Sequence, residues 1–430
     1  MSHLRSHCTG RCPRSLAALL LGACILAAAV ACPTAVSAKS KPAPEDSLPP
    51  QALEPIDPPQ MPPSSTADSF TFVVLGNSAP PAAGLPVPSI LFRIYDDIGL
   101  LRPDLVFHTG DFATIKTGDT VEAGAIEAQM DQFRTVTQIL GLPVFVAPGS
   151  RDVPDEDAAS AFRHVITGGK PYRSFDYGTS HFIVLSSEMP DSEGQISGDQ
   201  MIWLQSDLND HAQAKHTFVF INRTAYPSPA VTVDNQGFAS DAARDAFTSL
   251  MSKYHVNTVF SGGQPMYSAS THDGVNYINT GGAGGATTLS PAEGGFTHYV
   301  LVSIDGSKVT ASPIQPGNLD QRWSTTETGV TTLYNLSPVP VVAGWVSVLV
   351  PSEWRSKHTG LLGHEKLRLY QVDANTLGAA PHAVDAAVVG LKEGSGTDVN
   401  DPIRKIDFVY VRCEIPAGAA VKIKVSPVGK

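Results

Sequence analysis

The chain has 430 residues, of which 42% are hydrophobic, and it carries a formal net charge of −11. This length and apolar content can fill a large core, or a large core and a small one, which excludes an intrinsically disordered chain. The acidic balance, together with the absence of any Lys/Arg-rich run, argues against nucleic acid as a partner.

Residues 1–38 have the order of a bacterial secretory signal peptide. Three arginines and no acidic residue accompany an apolar run, and small residues end at Ala38. Cys24 and Cys32 both follow small residues, so a lipid anchor is an alternative to plain cleavage, and a retained membrane helix is a second alternative. Every alternative predicts a folded part that is exported, either periplasmic or extracellular.

Residues 39–69 are rich in proline and poor in large apolar residues. Such a segment buries too little surface to offset the entropy of ordering, so it is predicted to be an extended linker. It would hold the folded part away from the membrane or the export site.

Between residues 70 and 315, short apolar runs alternate with helical periods, which predicts a layered α/β core. A helical stripe runs through VEAGAIEAQMDQFRTVTQIL, and Ser197 and Gln200 have capping-box spacing ahead of a second helix. Asp-Gly pairs in STHDGVNYI and VSIDGSKVT predict hairpins. The runs typical of strands buried on both faces are FTFVVLG, DLVFHTGD, LPVFVAPG, SHFIVLSS, HTFVFIN and VNTVFSGG.

Residues 331–430 contain alternating or β-branched runs with Gly, Pro and Asp turns, and no long helical stripe. This pattern predicts a small all-β domain, a sandwich by preference. Cys413 is the only cysteine outside the leader and is predicted to be a buried hydrophobe. Trp345 and Trp354 belong either to this core or to a contact surface, and the histidines of HTGLLGHEK (His358 and His364) are predicted to lie on the surface.

The order and spacing of eight segments between residues 70 and 312 resemble the calcineurin-like metallophosphoesterases, which include the purple acid phosphatases. The segments are VVLGNSAP, VFHTGDFA, PVFVAPGSRDV, YRSFDYGTSHFIVLSSE, GQISGDQMIWLQSDL, FVFINRTAYP, VFSGGQPMY and GVNYINTGGAGG. The resemblance implies a four-layer α/β/β/α sandwich with a two-metal site on the loops after the strands, where the ions would clamp a phosphoester and supply a hydroxide.

The metal positions that the resemblance implies are mostly altered in this chain. Asp111 in TGDF matches the aspartate that bridges both ions, and it is the only retained ligand. The first loop has Asn77 and Ala79 where the family has an aspartate and a histidine or similar ligand, and Asn222 stands at a histidine position. The Gly-His-x-His loop is replaced by Gly263-Gln264-Pro265-Met266, so three imidazoles are missing.

The loop that carries the family's catalytic histidine reads Gly149-Ser150-Arg151-Asp152. An arginine cannot donate a proton near neutral pH, so the degenerate residues Ser150, Arg151 and Asp152 predict no general acid here. The Arg151 guanidinium either pairs with Asp111 and Asp152, as a structural substitute for metal charge, or binds a phosphate- or carboxylate-bearing ligand together with Arg223.

Several polar residues of the altered loops have two open interpretations. Asn77, Asn222 and Gln264 form either a ligand pocket with Asp111 or a relic network of mutual hydrogen bonds. Two other histidines, at positions 108 and 181, are replacement ligands or packing residues. The glycine-rich NTGGAGGATT is a turn of the fold rather than a phosphate loop, because it lacks the Lys-Ser/Thr ending.

Three functions remain open from the sequence. The favoured one is a secreted or envelope-tethered pseudoenzyme that binds or scaffolds without hydrolysis and needs no metal cofactor. The second is an active phosphoesterase with an unusual ligand set, holding two metals or one weakly bound divalent cation at Asp111. The third places the main function in the C-terminal β domain, as the contact with an envelope partner, with the large domain as its support.

Overall fold

The predicted apolar runs form two mixed β-sheets that pack face to face. Their strands, in chain order, are β1 (Ser69–Leu75), β2 (Leu105–His108), β3 (Val144–Val146), β4 (Arg173–Tyr177), β5 (Ser180–Val184), β6 (His216–Phe220), β7 (Thr258–Ser261), β8 (Tyr267–His272), β9 (Val275–Thr280), β10 (Tyr299–Asp305) and β11 (Lys308–Ile314). The computed structural model describes residues 68–116, 123–190, 192–231, 236–324, 326–336, 340–342, 346–356, 363–397 and 405–428.

Each sheet has a parallel centre with antiparallel strands toward one or both edges. The first sheet has the order β11-β10-β1-β2-β3, in which β1, β2 and β3 are parallel. The second has the order β4-β5-β6-β7-β9-β8, in which β5, β6, β7 and β9 are parallel. Both Asp-Gly hairpins form as predicted, since β8 pairs with β9 and β10 pairs with β11.

Aromatic side chains fill the space between the two sheets. Phe72 and Phe107 of the first sheet pack against Phe182 and Phe220 of the second, and all four are fully buried. The Phe107 and Phe220 rings stack with their centroids 3.7 Å apart. Strands buried on both faces read as continuous apolar runs, which is why these segments could be recognised in the sequence.

Helices cover the outer faces of both sheets. Leu91, Ile94 and Ile98 of the first helix pack on the outer face of the first sheet, and Leu204 and Phe247 of two later helices pack on that of the second. The predicted four-layer α/β/β/α sandwich is confirmed by this layer order. The helices are α1 (Ser89–Leu101), α2 (Ala123–Thr137), α3 (Glu156–Phe162), α4 (Gly198–Asp210), α5 (Asp241–Lys253) and α6 (Glu353–Ser356), with a 3₁₀ turn at Gln138–Leu140 and a π-helical turn at Arg163–Thr167.

The predicted capping box of α4 is wrong. Ser197 is the N-cap residue, but its side chain makes no capping hydrogen bond. The Gln200 amide instead bonds both backbone groups of Ser186, each at 2.8 Å, and so fastens α4 to the chain after β5. The spacing of Ser197 and Gln200 is that of a capping box, but Gln200 bonds the buried backbone groups of Ser186 and not the helix N-terminus.

The C-terminal strands form two antiparallel sheets, with the orders β12-β13-β19-β16 and β14-β18-β15, and β17 pairs with β18. The first of these strands lies at residues 319–323, ahead of the predicted start at 331, and part of the predicted run KLRLYQV is a 3₁₀ helix at Gly363–Leu369. The strands are β12 (Leu319–Trp323), β13 (Val330–Asn335), β14 (Val341–Val342), β15 (Val346–Pro351), β16 (Tyr370–Thr376), β17 (Ala386–Thr397), β18 (Lys405–Ile415) and β19 (Ala420–Pro427).

The C-terminal sheets share one hydrophobic cluster with α1 and the outer face of the first sheet. Val348 and Val411 belong to the same cluster as Ile94 and Leu75. The Arg102 guanidinium also lies 4.6 Å from the centroid of the Tyr410 ring. All described residues belong to one compact unit, so the C-terminal β region packs on the core and does not form a separate unit.

Some sequence predictions fall on residues outside the described ranges, among them the signal peptide, nearly all of the linker, Trp345 and His358. Cys413 is a free, buried thiol, as predicted, and burial raises its pKa to about 12. Trp354 is partly buried and packs against the C-terminal core. Among the described residues, no helix is both long and apolar enough to cross a bilayer.

Candidate functional site

The loops that follow the parallel strands meet at one edge of the two sheets, and they carry the candidate residues of the altered metal loops. We call this edge the loop pole. It holds Asn77 after β1, Asp111 after β2, Ser150, Arg151 and Asp152 after β3, Glu188 after β5, Asn222 and Arg223 after β6, and Gln264 after β7. Parallel strands end at the same edge of a sheet, so the strand predictions already implied this convergence.

Asp111 is held in an uncommon backbone conformation at the centre of the loop pole. Its φ is 56°, in the left-handed region, and the φ of Gly110 before it is 90°. One carboxylate oxygen accepts the Arg151 backbone N–H at 3.0 Å, and the other accepts the Asn222 amide at 3.3 Å. A Cβ on Gly149 would lie 2.4 Å from this carboxylate, so the approach of the two loops requires glycine there.

Asp152 acts as a latch between the loops after β2 and β3. Its Oδ1 accepts the backbone N–H groups of Phe112 and Ala113, at 3.0 and 2.9 Å. Its Oδ2 accepts those of Asp111 and Gly149, both at 2.8 Å. With four backbone donors on a carboxylate that is 0% exposed, Asp152 has a structural role and is closed to a ligand.

The Arg151 guanidinium does not pair with Asp111 or Asp152, which corrects that prediction. Its Nη2 donates to the backbone carbonyl of Pro80 at 2.8 Å and to the hydroxyl of Thr114 at 2.5 Å. It still lies close enough to Asp111 to favour the charged carboxylate. Its Nε and Nη1 groups have no partner among the described residues, and the side chain is partly exposed.

Arg223 is committed to a buried ion pair with Glu188, so the prediction that it joins Arg151 around a ligand is wrong for this structure. Its Nε and Nη2 donate to the two oxygens of Glu188 at 2.6 and 2.7 Å. The Glu188 side chain is 1% exposed and that of Arg223 is 5% exposed. Sequence reasoning missed Glu188, although it ends the quoted segment SHFIVLSSE directly after a strand.

The amide side chains of the loop pole differ in whether their hydrogen-bonding groups all have partners. Gln264 is closed, because both ends of its amide bond the backbone of Ser228, at 2.8 and 3.0 Å. Asn222 donates to the Thr109 carbonyl at 2.9 Å as well as to Asp111. The side-chain oxygens of Asn77 and Asn222 are buried and have no partner among the residues that the structure describes, so they are unused acceptors of the loop pole.

The loop pole places two arginines next to three buried carboxylates. Burial raises the pKa values of Asp111, Asp152 and Glu188, and the negative charge of Asp111 raises that of Asp152 further. Arg151 and Arg223 oppose this effect at Asp111, and backbone N–H groups oppose it at Asp152. Two arginines therefore supply positive charge next to carboxylates that metal ions would otherwise neutralise.

Solved structures match the chain in fold, whereas no family model and no curated protein matches it. A purple acid phosphatase from yellow lupin seeds is 16% identical with a TM-score of 0.46, over 61% of this chain and 53% of that protein, so the chain spans about half its length. The anchor in the inner membrane complex of Plasmodium is 14% identical with a TM-score of 0.43, over 58% of this chain and 86% of that one. A dimetal phosphatase from Danio rerio is 11% identical with a TM-score of 0.41, over 60% and 96%. At scores below 0.5 these likenesses say nothing about what this chain binds or hydrolyses.

The side chains of the loop pole do not fit a pair of divalent transition-metal ions. Such a pair needs several imidazoles or carboxylates that converge on it, and Asp111 is the only carboxylate here without a full set of donors. Asp152 is filled by backbone N–H groups and Glu188 by Arg223. The remaining oxygens, on Asn77 and Asn222, suit at most one hard cation.

His108 is a packing residue rather than a replacement ligand. Its Nδ1 accepts the backbone N–H of Gly110 at 3.1 Å, which places the ring proton on Nε2, 2.9 Å from the Ser78 hydroxyl. His181 is the second residue of β5, at the end of that strand opposite to the loop pole. The structure therefore brings neither histidine to the predicted site as a ligand.

We expect the buried His108 ring to stabilise the fold less as the pH is lowered. Burial lowers its pKa to about 3, so in acid the unfolded chain gains a proton that the folded chain does not, and the folded state loses stability as the pH falls below 6.5. The gap in unfolding free energy between the wild type and His108→Gln should shrink by about 2 kcal/mol from pH 7.5 to pH 5. Urea unfolding at both pH values measures it. Ser78→Ala, which removes no titrating group, should cost the same at both, and a constant gap for His108→Gln would contradict the buried neutral ring.

Proposed function

We propose that this chain is an exported, metallophosphoesterase-like pseudoenzyme that binds a ligand or partner without hydrolysing it. The observation that carries the proposal is the donor set of the loop pole, in which one open carboxylate faces amides and two internal arginines. Without converging imidazoles no pair of ions is held, and without a titratable group in place of Arg151 no proton reaches a leaving group. The chain keeps the loops in place with its own charges instead.

The ligand class that fits best is a phosphate or carboxylate, and its contact is Arg151. The Nη2 group of Arg151 is anchored, while its Nη1 group offers N–H donors at the end of the guanidinium to an anion. Arg223 is not part of this contact, because Glu188 neutralises it. A partly exposed cation on an anchored side chain binds an anion at a modest entropic cost.

The leader sequence supports export. Its arginines, apolar run and small residues match a signal peptide, and Cys24 and Cys32 leave lipid attachment open, so the protein would act in the periplasm, at the envelope or outside the cell. The C-terminal strands are the proposed contact with an envelope partner. Since they share a hydrophobic cluster with α1, deleting residues 331–430 would expose that helix and would not test the two regions separately.

An active phosphoesterase with one hard cation is the second candidate. Two buried amide oxygens without partners among the described residues, on Asn77 and Asn222, favour it, because a cation could supply the missing partner; at Asp111 the Asn222 amide, which now turns its nitrogen to the carboxylate, would have to flip. A single carboxylate would bind Ca²⁺ or Mg²⁺ weakly. Water bound to such an ion would be the nucleophile for hydrolysis.

The test compares the wild type with Asp111→Asn after exposure to Mn²⁺, Fe²⁺, Zn²⁺ and Ca²⁺. Because both proteins share every other site, only the difference in metal content reports ions held by the loop pole. We expect no difference, and equal, near-zero turnover of p-nitrophenyl phosphate and bis-p-nitrophenyl phosphate. Metal and turnover that are both lost in Asp111→Asn would establish the active phosphoesterase.

Binding is measured on the same preparations by titration with inorganic phosphate. The wild type should bind it, Arg151→Gln should weaken binding at least tenfold, and Arg134→Gln should not change it. Arg134 is the control because it is a partly buried arginine on α2, paired with Asp131. Equal phosphate binding by the wild type and Arg151→Gln would contradict the proposed contact with Arg151. The proposal that the chain does not hydrolyse phosphoesters would be unaffected.

A further inference from the structure

A second cluster of metal-ligating side chains lies at the end of the second sheet away from the loop pole. Asp176 is the next-to-last residue of β4 and His181 is the second residue of β5, and the two residues pair across the hairpin. Asp207 and His211 follow one another by a helical turn, in and just after α4. The helix packs over the hairpin, which brings two imidazoles and two carboxylates together.

Three of these side chains can reach one point. The Nδ1 atom of His181 is 2.7 Å from Asp176 Oδ1, and the Nε2 atom of His211 is 3.8 Å from Asp176 Oδ2. One ligand atom from each of Asp176, His181 and His211 lies within 4.8 Å of the others. The two imidazole rings stack with centroids 3.8 Å apart and planes 12° apart, and the His211 ring, on a 34% exposed side chain, has to turn out of this stack before both nitrogens can point at one ion.

Asp207 fixes the outer edges of both rings. Its Oδ2 lies 2.9 Å from His181 Nε2, and its backbone carbonyl lies 2.8 Å from His211 Nδ1. The Ser174 hydroxyl holds the other carboxylate oxygen at 2.7 Å. A ligating histidine commonly donates its second ring N–H to a carboxylate or a carbonyl, which orients the ring and directs its free nitrogen at the ion.

The cluster is also accessible from solvent. The side chains of Asp176 and His211 are 60% and 34% exposed, whereas those of His181 and Asp207 are 1% and 8% exposed. An ion would thus enter past Asp176 onto a buried, already oriented histidine.

We propose that Asp176, His181 and His211 bind one Zn²⁺ ion, with Asp207 as the positioning residue for both histidines. Two imidazoles and a carboxylate are a known donor set for zinc, and the fourth position would face solvent. Zinc distances of about 2.0–2.2 Å place the ligand atoms about 3.3 Å apart. Binding requires the partly exposed His211 ring to turn out of the stack and the exposed Asp176 side chain to rotate, which lengthens one of the present separations and shortens the other.

The site is independent of the loop pole and of the proposed pseudoenzyme function. Its ligands come from the hairpin β4-β5 and from α4, so bound zinc would join these elements and raise the melting temperature. Mg²⁺ should not replace zinc, because it prefers oxygen ligands.

The test is a calorimetric titration of the chelator-treated full chain with Zn²⁺. We expect one ion per chain in the wild type and in Asp111→Asn, and at least tenfold weaker binding in His211→Gln and Asp176→Asn. Asp207→Asn should weaken binding about 10- to 100-fold while the stoichiometry stays at one. His164→Gln is the matched control, because His164 pairs with Glu127 on the surface, has no contact with the cluster among the described residues, and should leave zinc affinity unchanged.

Cobalt gives a readout that a purely structural role of the cluster would not change. Co²⁺ bound in place of Zn²⁺ should show the visible absorption of a four-coordinate ion, and the band should vanish in His211→Gln while the circular dichroism of the fold stays unchanged. Zinc binding that survives in both His211→Gln and Asp176→Asn would overturn the proposal. So would a wild type that binds no zinc, or a loss in His164→Gln equal to that in His211→Gln.

Discussion

Replacing Asp152 with asparagine is expected to lower the free energy of unfolding by about 3–5 kcal/mol. The substitution turns one of the two carboxylate oxygens into an NH₂ group that faces two backbone N–H donors in a site without water access. Each buried donor left without an acceptor costs about 1–3 kcal/mol. Removing the charge relieves repulsion with Asp111, but this gain is smaller than the loss of four charge-assisted hydrogen bonds. Urea unfolding at neutral pH measures the difference.

The matched control is Asp210→Asn, an exposed aspartate at the end of α4, which should stay within about 0.5 kcal/mol of the wild type. If Asp152→Asn lost less than about 1 kcal/mol, the Asp152 carboxyl would already be protonated in the folded state, since burial raises its pKa. The loops after β2 and β3 would then be held by packing, and the latch would be a minor contact.

The strands of the core could be predicted from the sequence because their burial leaves a simple signal. A parallel strand covered on both faces, such as β2 or β6, is a short apolar run between turn residues. The two Asp-Gly hairpins were equally clear, since Asp273 and Gly274 both adopt the positive φ values of such a turn, and Gly306 does so in the second hairpin. Both signals are local, so a single sequence was enough.

The elements that differed from prediction depend on tertiary contacts. Gln200 has the spacing of a capping residue, but its choice between the helix N-terminus and the backbone of Ser186 depends on where the chain after β5 lies. The strand at 319–323 lacks a strong apolar pattern, and its pairing with β13 is what makes it a strand. Neither fact is visible in a window of local sequence.

The positions of the candidate site were predictable, whereas the partners were not. Strand order alone brought Asp111, Arg151 and Asn222 to one edge. The direction of a long side chain depends on the acceptors around it, and Arg151 found the Pro80 carbonyl rather than a carboxylate. For the proposed zinc ligands, an Asp-x₃-His spacing on a helix and an Asp-x₄-His spacing across a hairpin were signals in the sequence, but nothing local showed that α4 packs over the hairpin.

Breaking the buried pair of Glu188 and Arg223 from either side is expected to cost about 3–5 kcal/mol. Both side chains are nearly inaccessible and joined by two hydrogen bonds, so removal of one leaves the other charged and unpaired in the core. Urea unfolding of Glu188→Leu and of Arg223→Met measures the two single losses.

The double variant shows whether the loss of stability comes from leaving one buried charge unpaired or from the change in packing. With both charges gone, the side chains can pack as apolar groups, so Glu188→Leu with Arg223→Met should lie within about 2 kcal/mol of the wild type, far from the sum of the single losses. The exposed pair Asp68–Lys215, 2.9 Å apart, should show nearly additive effects in the same cycle. Additive losses at Glu188 and Arg223 would mean that their packing, and not their charge, holds the loop pole. The proposal that internal ion pairs stand in for metal charge would then lose its second arginine.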